Sequence, residues 1–167
     1  MTNSIIDFYS DPTFSYGGPS LMDILSYSDR KFETSHTHIQ ILFPTREPSK
    51  YNPRATLLTD EVVNAFADSK VLRSNFALSI TRFRTFLDLD REITKDSYKP
   101  HWLTPMNHNH LRITRALHSI RELHPFHLNS FYHDLMNTIE LDDEHSISET
   151  TLKFWLGALL GKDPGEV

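Results

Sequence analysis

Between Val71 and Leu87 the residues Leu72, Phe76, Ile80, Phe83 and Leu87 recur at spacings of three and four. That is the helical period, and it stands a row of large apolar side chains on one face that must be buried against other elements. No stretch of the chain sustains the apolar–polar alternation of a half-buried strand. The partners of this face are therefore expected to be helices too.

Their boundaries are marked by caps and breakers. Ile5, Ile6, Phe8 and Tyr9 form an apolar opening, read as a short helix or an anchoring arm, followed by a connection through Pro12, Gly17, Gly18 and Pro19. Ser20 and Asp23 have capping-box spacing ahead of Leu21, Ile24 and Leu25. A helix is predicted over 33–43, stopped by Pro44, which lacks an amide donor and restricts the residue before it. Residues 44–54 hold three prolines and two net positive charges, from Arg46, Lys50 and Arg54 against Glu47, and read as a rigid loop. Thr59 caps the next helix, with Asp60 and Glu61 at its favourable end and Val62, Val63 and Phe66 inside.

On the 71–87 helix, Arg73, Arg82 and Arg84 are expected on solvated sides. A polar connection over 90–106 follows, with Trp102 closing it over the core. Further helices are predicted through Ile113, Ala116, Leu117, Ile120 and Leu123, over 128–140, and over 148–160. Ser146 with Glu149 is the expected cap of the last, and Gly161 with Pro164 its stop. The fold class that results is all-α: a single orthogonal helical bundle of about six to eight helices with long ordered loops.

A chain of 167 residues, 38% hydrophobic, can bury one substantial core without staples. It has no cysteine, which removes disulfides, thiolate metal sites and a thiol nucleophile and fits a reducing, cytoplasmic compartment. No apolar run approaches the roughly 20 residues of a bilayer span, and the N-terminus has no signal-peptide pattern. The net charge of −5 opposes a general nucleic-acid footprint. Residues 107–121 nevertheless carry Arg112, Arg115 and Arg121 with no acid, whereas 134–149 carries six acids with no Lys or Arg.

The densest polar run is Asn107-His108-Asn109-His110-Leu111-Arg112-Ile113-Thr114-Arg115. On a helix, His108, Arg112, Arg115 and Ser119 share one stripe, apart from the Ile113, Leu117 and Ile120 face, while His110 turns away. Planar guanidiniums suit a carboxylate or phosphate. The same arginines can instead pair with acids of neighbouring helices, and Asn107 or Asn109 can cap the helix start. A second constellation is His36-Thr37-His38-Ile39-Gln40, with His36 and Gln40 on one face. A His36/His108 metal pair, or one of these histidines as a haem ligand, is chemically open, although no zinc signature occurs. Ser20, Ser28 and Ser119 lack a nucleophile elbow, and no Gly-rich phosphate loop is present.

Leu21-Met22-Asp23-Ile24-Leu25, the run from His36 to Pro44, Asn52-Pro53-Arg54-Ala55 with Leu58-Thr59, and the run from His108 to Leu117 occur in an order and spacing that resemble the conserved domain of the opioid growth factor receptor family. The resemblance extends over most of 14–160 and implies an all-helical domain. The family's animal receptors are intracellular, nuclear-associated binders of an enkephalin growth peptide. The resemblance gives an expected division into an N-terminal arm or short helix at 1–13, the family domain at 14–161 and a tail at 162–167.

Carried over residue by residue, the polar set is His36, Gln40, Asn52, Arg54, His108, Asn109, Arg112, Thr114 and Arg115. The resemblance implies a pocket in which Arg112 and Arg115 hold an anionic group, Gln40, Asn52 and Asn109 orient it, and His36 or His108 supplies acid–base or ligand chemistry. The expected function is a ligand-binding module for a small anionic molecule or a peptide carboxylate. One alternative is a histidine-dependent enzyme using haem or a divalent metal, with His36 and His108 as catalytic or metal-ligating candidates. The other is a regulatory scaffold with a protein partner. Neither nucleic-acid binding nor membrane insertion is expected.

Overall fold

The computed structural model describes residues 4–15, 17–92, 94, 96 and 99–167. Residues 1–3 of the expected arm, residue 16 of the first connection and residues 93, 95, 97 and 98 of the polar connection lie outside them. The fold is an all-α helical bundle, with nine α-helices and no strand among the described residues. The helices are α1 (Ser4–Ser10), α2 (Leu21–Leu25), α3 (Asp29–Thr34), α4 (Thr37–Leu42), α5 (Asp60–Asp68), α6 (Lys70–Phe86), α7 (Asn109–Leu123), α8 (Leu128–Glu140) and α9 (Glu149–Leu160). The chain divides into two compact units, residues 1–82 with 122–124, and residues 83–121 with 125–167.

In the first unit, the apolar opening forms α1, which buries Ile5, Phe8 and Tyr9. Tyr9 has no exposed surface and meets Phe8, Phe66 and Phe76 edge-on, with ring centroids 4.9, 5.6 and 5.4 Å away. Its hydroxyl donates to the Leu42 carbonyl at 2.6 Å and lies 2.9 Å from Ser79 Oγ. Asn75 Nδ2 donates to the Tyr9 carbonyl at 2.7 Å. One side chain thus links α1, α4 and α6, and burial raises its phenol well above the usual tyrosine range, so the donor proton is retained.

The Ser20–Asp23 capping box forms as its spacing predicts. Asp23 N–H donates to Ser20 Oγ at 3.1 Å and Ser20 N–H to Asp23 Oδ2 at 2.8 Å. Thr59 caps α5 through Val62 N–H. The single helix expected over 33–43 is instead α3 and α4, separated where Ser35 takes an extended conformation (φ −87°, ψ 128°). Local hydroxyls explain the break: Ser28 starts α3 early by accepting from Lys31 N–H, and Thr34 Oγ1 donates back to the Arg30 carbonyl at 2.9 Å. Such side-chain bonds compete with helix continuation.

The arginines of α6 do more than decorate. Arg73 donates to the Phe66 carbonyl at 2.7 Å and to that of Ala67, closing the end of α5. Arg82 reaches the Tyr27 carbonyl and Asp29 at 2.9 and 2.8 Å, with its guanidinium 4.6 Å from the Phe32 ring centroid. In the second unit Arg84 pairs with Asp134. Long cationic stems cover apolar surface while their heads find acceptors, which the expectation of solvated sides overlooked.

The second unit stacks Phe83 on Phe131 and Phe86, with centroids 6.2 and 6.1 Å away. It also buries Trp102 and Trp155 completely, 6.2 Å apart. Trp102 closes the polar connection as expected, donating from Nε1 to the Leu87 carbonyl at 2.8 Å. The expected cap of α9 moves by two residues: Ser148 accepts from Thr151 N–H at 3.1 Å. Ser146 is drawn instead to Asp142, whose Oδ2 accepts its N–H at 2.8 Å. Asp142 is nearly fully buried and pairs with Lys99 at 3.0 Å, so the acid-rich segment has a cation from outside its own run. Burial acts to raise the Asp142 carboxyl, but the Ser146 amide and Lys99 outweigh it and hold the group below the usual range.

Gly161 ends α9 in the left-handed conformation (φ 67°). The Gly157 carbonyl accepts from the N–H groups of both Gly161 and Lys162. A Cβ at Gly157 would fall 2.7 Å from the Lys162 oxygen, so only glycine allows this approach.

Tyr9→Phe leaves a buried carbonyl and Ser79 without their partner, and is expected to lower stability by roughly 1–3 kcal/mol in urea unfolding. An unchanged midpoint would deny the hydroxyl a net role. Asp142 has a depressed folded pKa, so its contribution is present above the unfolded value of about 4 and is lost as pH falls through the folded one. Asp142→Asn should therefore cost roughly 1–3 kcal/mol at pH 7, with the gap to wild type closing in acid. A gap that persists there would show that the ionised carboxylate is not its source.

Candidate functional site

The eight expected ligand residues divide between the units. His36, Gln40, Asn52 and Arg54 belong to the first, and His108, Asn109, Arg112 and Arg115 to the second.

In the second unit the start of α7 is built by Asn107. Its Oδ1 accepts from Asn109 N–H at 2.9 Å, and its Nδ2 donates to Thr104 Oγ1 at 2.9 Å. This is the capping that its sequence position suggests. His108 lies just before the helix and is exposed. Asn109 is fully buried and accepts from Arg112 Nη1 at 3.2 Å, which fixes that guanidinium. His110 faces inward, and its Nε2 lies 2.8 Å from the Trp102 carbonyl. A carbonyl only accepts, so Nε2 carries the proton, and burial lowers the ring's pKa and favours the neutral form. Thr114 Oγ1 donates to the His110 carbonyl at 2.9 Å and accepts from Trp155 Nε1 at 3.0 Å. Thr114 and His110 are therefore interior struts.

Arg115 is different. It is partly buried, and its Nε is withdrawn from solvent without an acceptor. Desolvation pulls its guanidinium down to about 10, still charged at neutral pH. One turn further on, Ser119 is completely buried and its Oγ also has no partner. By contrast Arg46, Arg82, Arg84 and Arg91 each meet a carboxylate.

In the first unit, His36 stands exposed at the start of α4 with no side-chain cap bond, while His38 is buried edge-on to Phe32 and Tyr27. Gln40 and Asn52 are brought together at a cavity of about 160 Å³ walled by Ile5, Phe8, Ile41 and Pro44. Gln40 Nε2 donates to Ser49 Oγ at 2.8 Å. The same oxygen accepts from the N–H groups of Tyr51 and Asn52 at 3.2 and 3.3 Å. Asn52 Oδ1 in turn accepts from Arg54 N–H at 3.2 Å, which leaves the Arg54 side chain exposed. Arg46 is committed elsewhere, to Asp60 at 2.9 Å and to Glu122 at 3.2 Å.

Ser49 is the residue that sequence reasoning missed. Its signal was a serine two and three residues before amides that need an acceptor, a recognisable hydroxyl turn. No group of three or more His, Asp or Glu side chains suited to a metal occurs among the described residues. No helix among them is long and apolar enough to cross a membrane.

The family model described as the opioid growth factor receptor (OGFr) conserved region matches residues 20–163. The opioid growth factor receptors of Rattus norvegicus and Mus musculus are each 34% identical to this chain over 131 residues. Those matches cover 71% of this chain, 22% of the rat protein and 20% of the mouse protein. The chain thus spans about a fifth of the length of these relatives. No solved structure matches it. The matched residues run from the Ser20 cap through α9 and include every member of the polar set, and on this footing the chain belongs to the opioid growth factor receptor family.

Proposed function

We propose that this chain is a cytoplasmic ligand-binding module of the opioid growth factor receptor type, and that α7 receives the carboxylate of a small anionic molecule or of a peptide. The carrying observation is Arg115. A guanidinium partly withdrawn from water, with no ion pair among the described residues, raises the free energy of the empty state. An anion offsets that cost and gains charge-assisted hydrogen bonds.

Ser119 Oγ supplies a further donor one turn away, and Asn109 holds Arg112 in a fixed orientation beside it on the helix. The rodent relatives are named as receptors, which favours binding over turnover. The cysteine-free composition fits the cytoplasmic setting of this reading.

Calorimetric titration with Ac-Ala-Ala-Phe bearing a free C-terminal carboxylate, with its C-terminal amide, and with acetate tests this reading. The carboxylate peptide should bind at least about tenfold tighter than the amide, and acetate should compete if a lone anion suffices. Arg115→Met keeps the apolar stem, removes the charge, and should abolish the discrimination while the urea midpoint holds or rises. Equal affinity of acid and amide for the wild type would sink the proposal. Unfolding of Arg115→Met would make the arginine a structural element instead.

A further inference from the structure

The cavity of the first unit has a different chemistry from the α7 stripe. Its described lining residues include no ionisable side chain. The lining is largely apolar; its hydroxyls, Ser4 and Thr56, are spent on each other at 3.0 Å, and a pair of carboxamides has remaining valences that point to one kind of ligand. Gln40 spends its Nε2 on Ser49, and its Oε1 is buried with no hydrogen-bond partner. Asn52 spends its Oδ1 on the Arg54 amide, and its Nδ2 makes no hydrogen bond among the described residues. One unspent acceptor and one unspent donor therefore belong to residues that line the same cavity. An unpaired buried acceptor is costly, and native structures satisfy such groups with protein, water or ligand.

We infer that this cavity is a binding site for a neutral amide on a branched apolar body. The ligand N–H donates to Gln40 Oε1, its carbonyl accepts from Asn52 Nδ2, and its apolar part lies against Ile5, Phe8, Ile41 and Pro44. The volume of about 160 Å³ suits one benzene-sized group, such as a single residue side chain. A carboxylate is disfavoured, because no cation lines the cavity and its charge would meet the Gln40 oxygen. The site does not rest on the anion reading of α7, and its probes carry no charge.

The test is methyl NMR of the full chain with labelled Ile5 and Ile41, titrated with N-methylisovaleramide and with methyl isovalerate, which has the same shape without the N–H. The amide should give saturable shifts at both methyls and bind at least about tenfold tighter than the ester. Gln40→Met should bring the two ligands to equal affinity. Ala55→Leu enlarges a lining side chain, leaves both carboxamides chemically unaltered, and should abolish both shifts while the protein stays folded.

N-acetyl-leucine N-methylamide separates the sources. Competition by it identifies a residue of a peptide chain, and its exclusion identifies a free small amide. Arg115→Met should leave all of this unchanged, which keeps the result independent of the α7 proposal. No saturable shift with millimolar amide, or equal binding of amide and ester to the wild type, overturns the inference.

Discussion

The second unit depends on a short relay of hydrogen bonds that answers buried backbone carbonyls in turn. The Leu87 carbonyl, just past the end of α6, receives the Trp102 indole N–H. The Trp102 carbonyl receives His110 Nε2, and the His110 carbonyl receives both Thr114 Oγ1 and Trp155 Nε1. Left without donors in a dry interior, the Leu87 and Trp102 oxygens would each cost on the order of 1–3 kcal/mol. The relay explains why so polar a run begins α7: His110 and Thr114 serve the scaffold. It also fixes the rotation of the helix about its axis, so Arg112, Arg115 and Ser119 are displayed by a rigid element.

Much of this was written in the chain. The row from Leu72 to Leu87 is buried throughout, because its period leaves an all-apolar face only one way to be covered. Ser20 and Thr59 cap as their positions predict, since a cap needs only a hydroxyl and an amide three residues away. Ser146 was misread because two serines stand near the start of α9, and local spacing does not reveal that Asp142 takes one of them. The break between α3 and α4 was hidden because apolar period ignores hydroxyls competing for the backbone. Partners distant in sequence, such as Arg46 with Glu122 or Lys99 with Asp142, carry no local signature at all.

Apart from His36, Arg54 and His108, which stand exposed, the polar set carried by the family resemblance works with neighbours outside it in three roles. Asn107, Asn109, His110 and Thr114 complete the geometry of α7. Gln40 and Asn52, through Ser49, shape one end of an uncharged cavity. Arg115 and Ser119 hold a guanidinium Nε and a hydroxyl out of solvent, and neither of those atoms has a partner. Only the last two groups leave hydrogen-bonding capacity unspent, and the difference between them is electrostatic. One offers a cation in poor solvent, the other a neutral donor–acceptor pair.

Gly157 has a consequence for how α9 comes apart. Its carbonyl is shared by Gly161 and Lys162, and its missing side chain is what admits the Lys162 oxygen. Helix ends ordinarily fray one amide at a time. Here the amides that would exchange first are clamped to a carbonyl a full turn back, under a backbone that rests on the helix itself. Opening the end of α9 therefore releases two amides from one carbonyl, and the amide hydrogens of Gly161 and Lys162 are expected to be protected together.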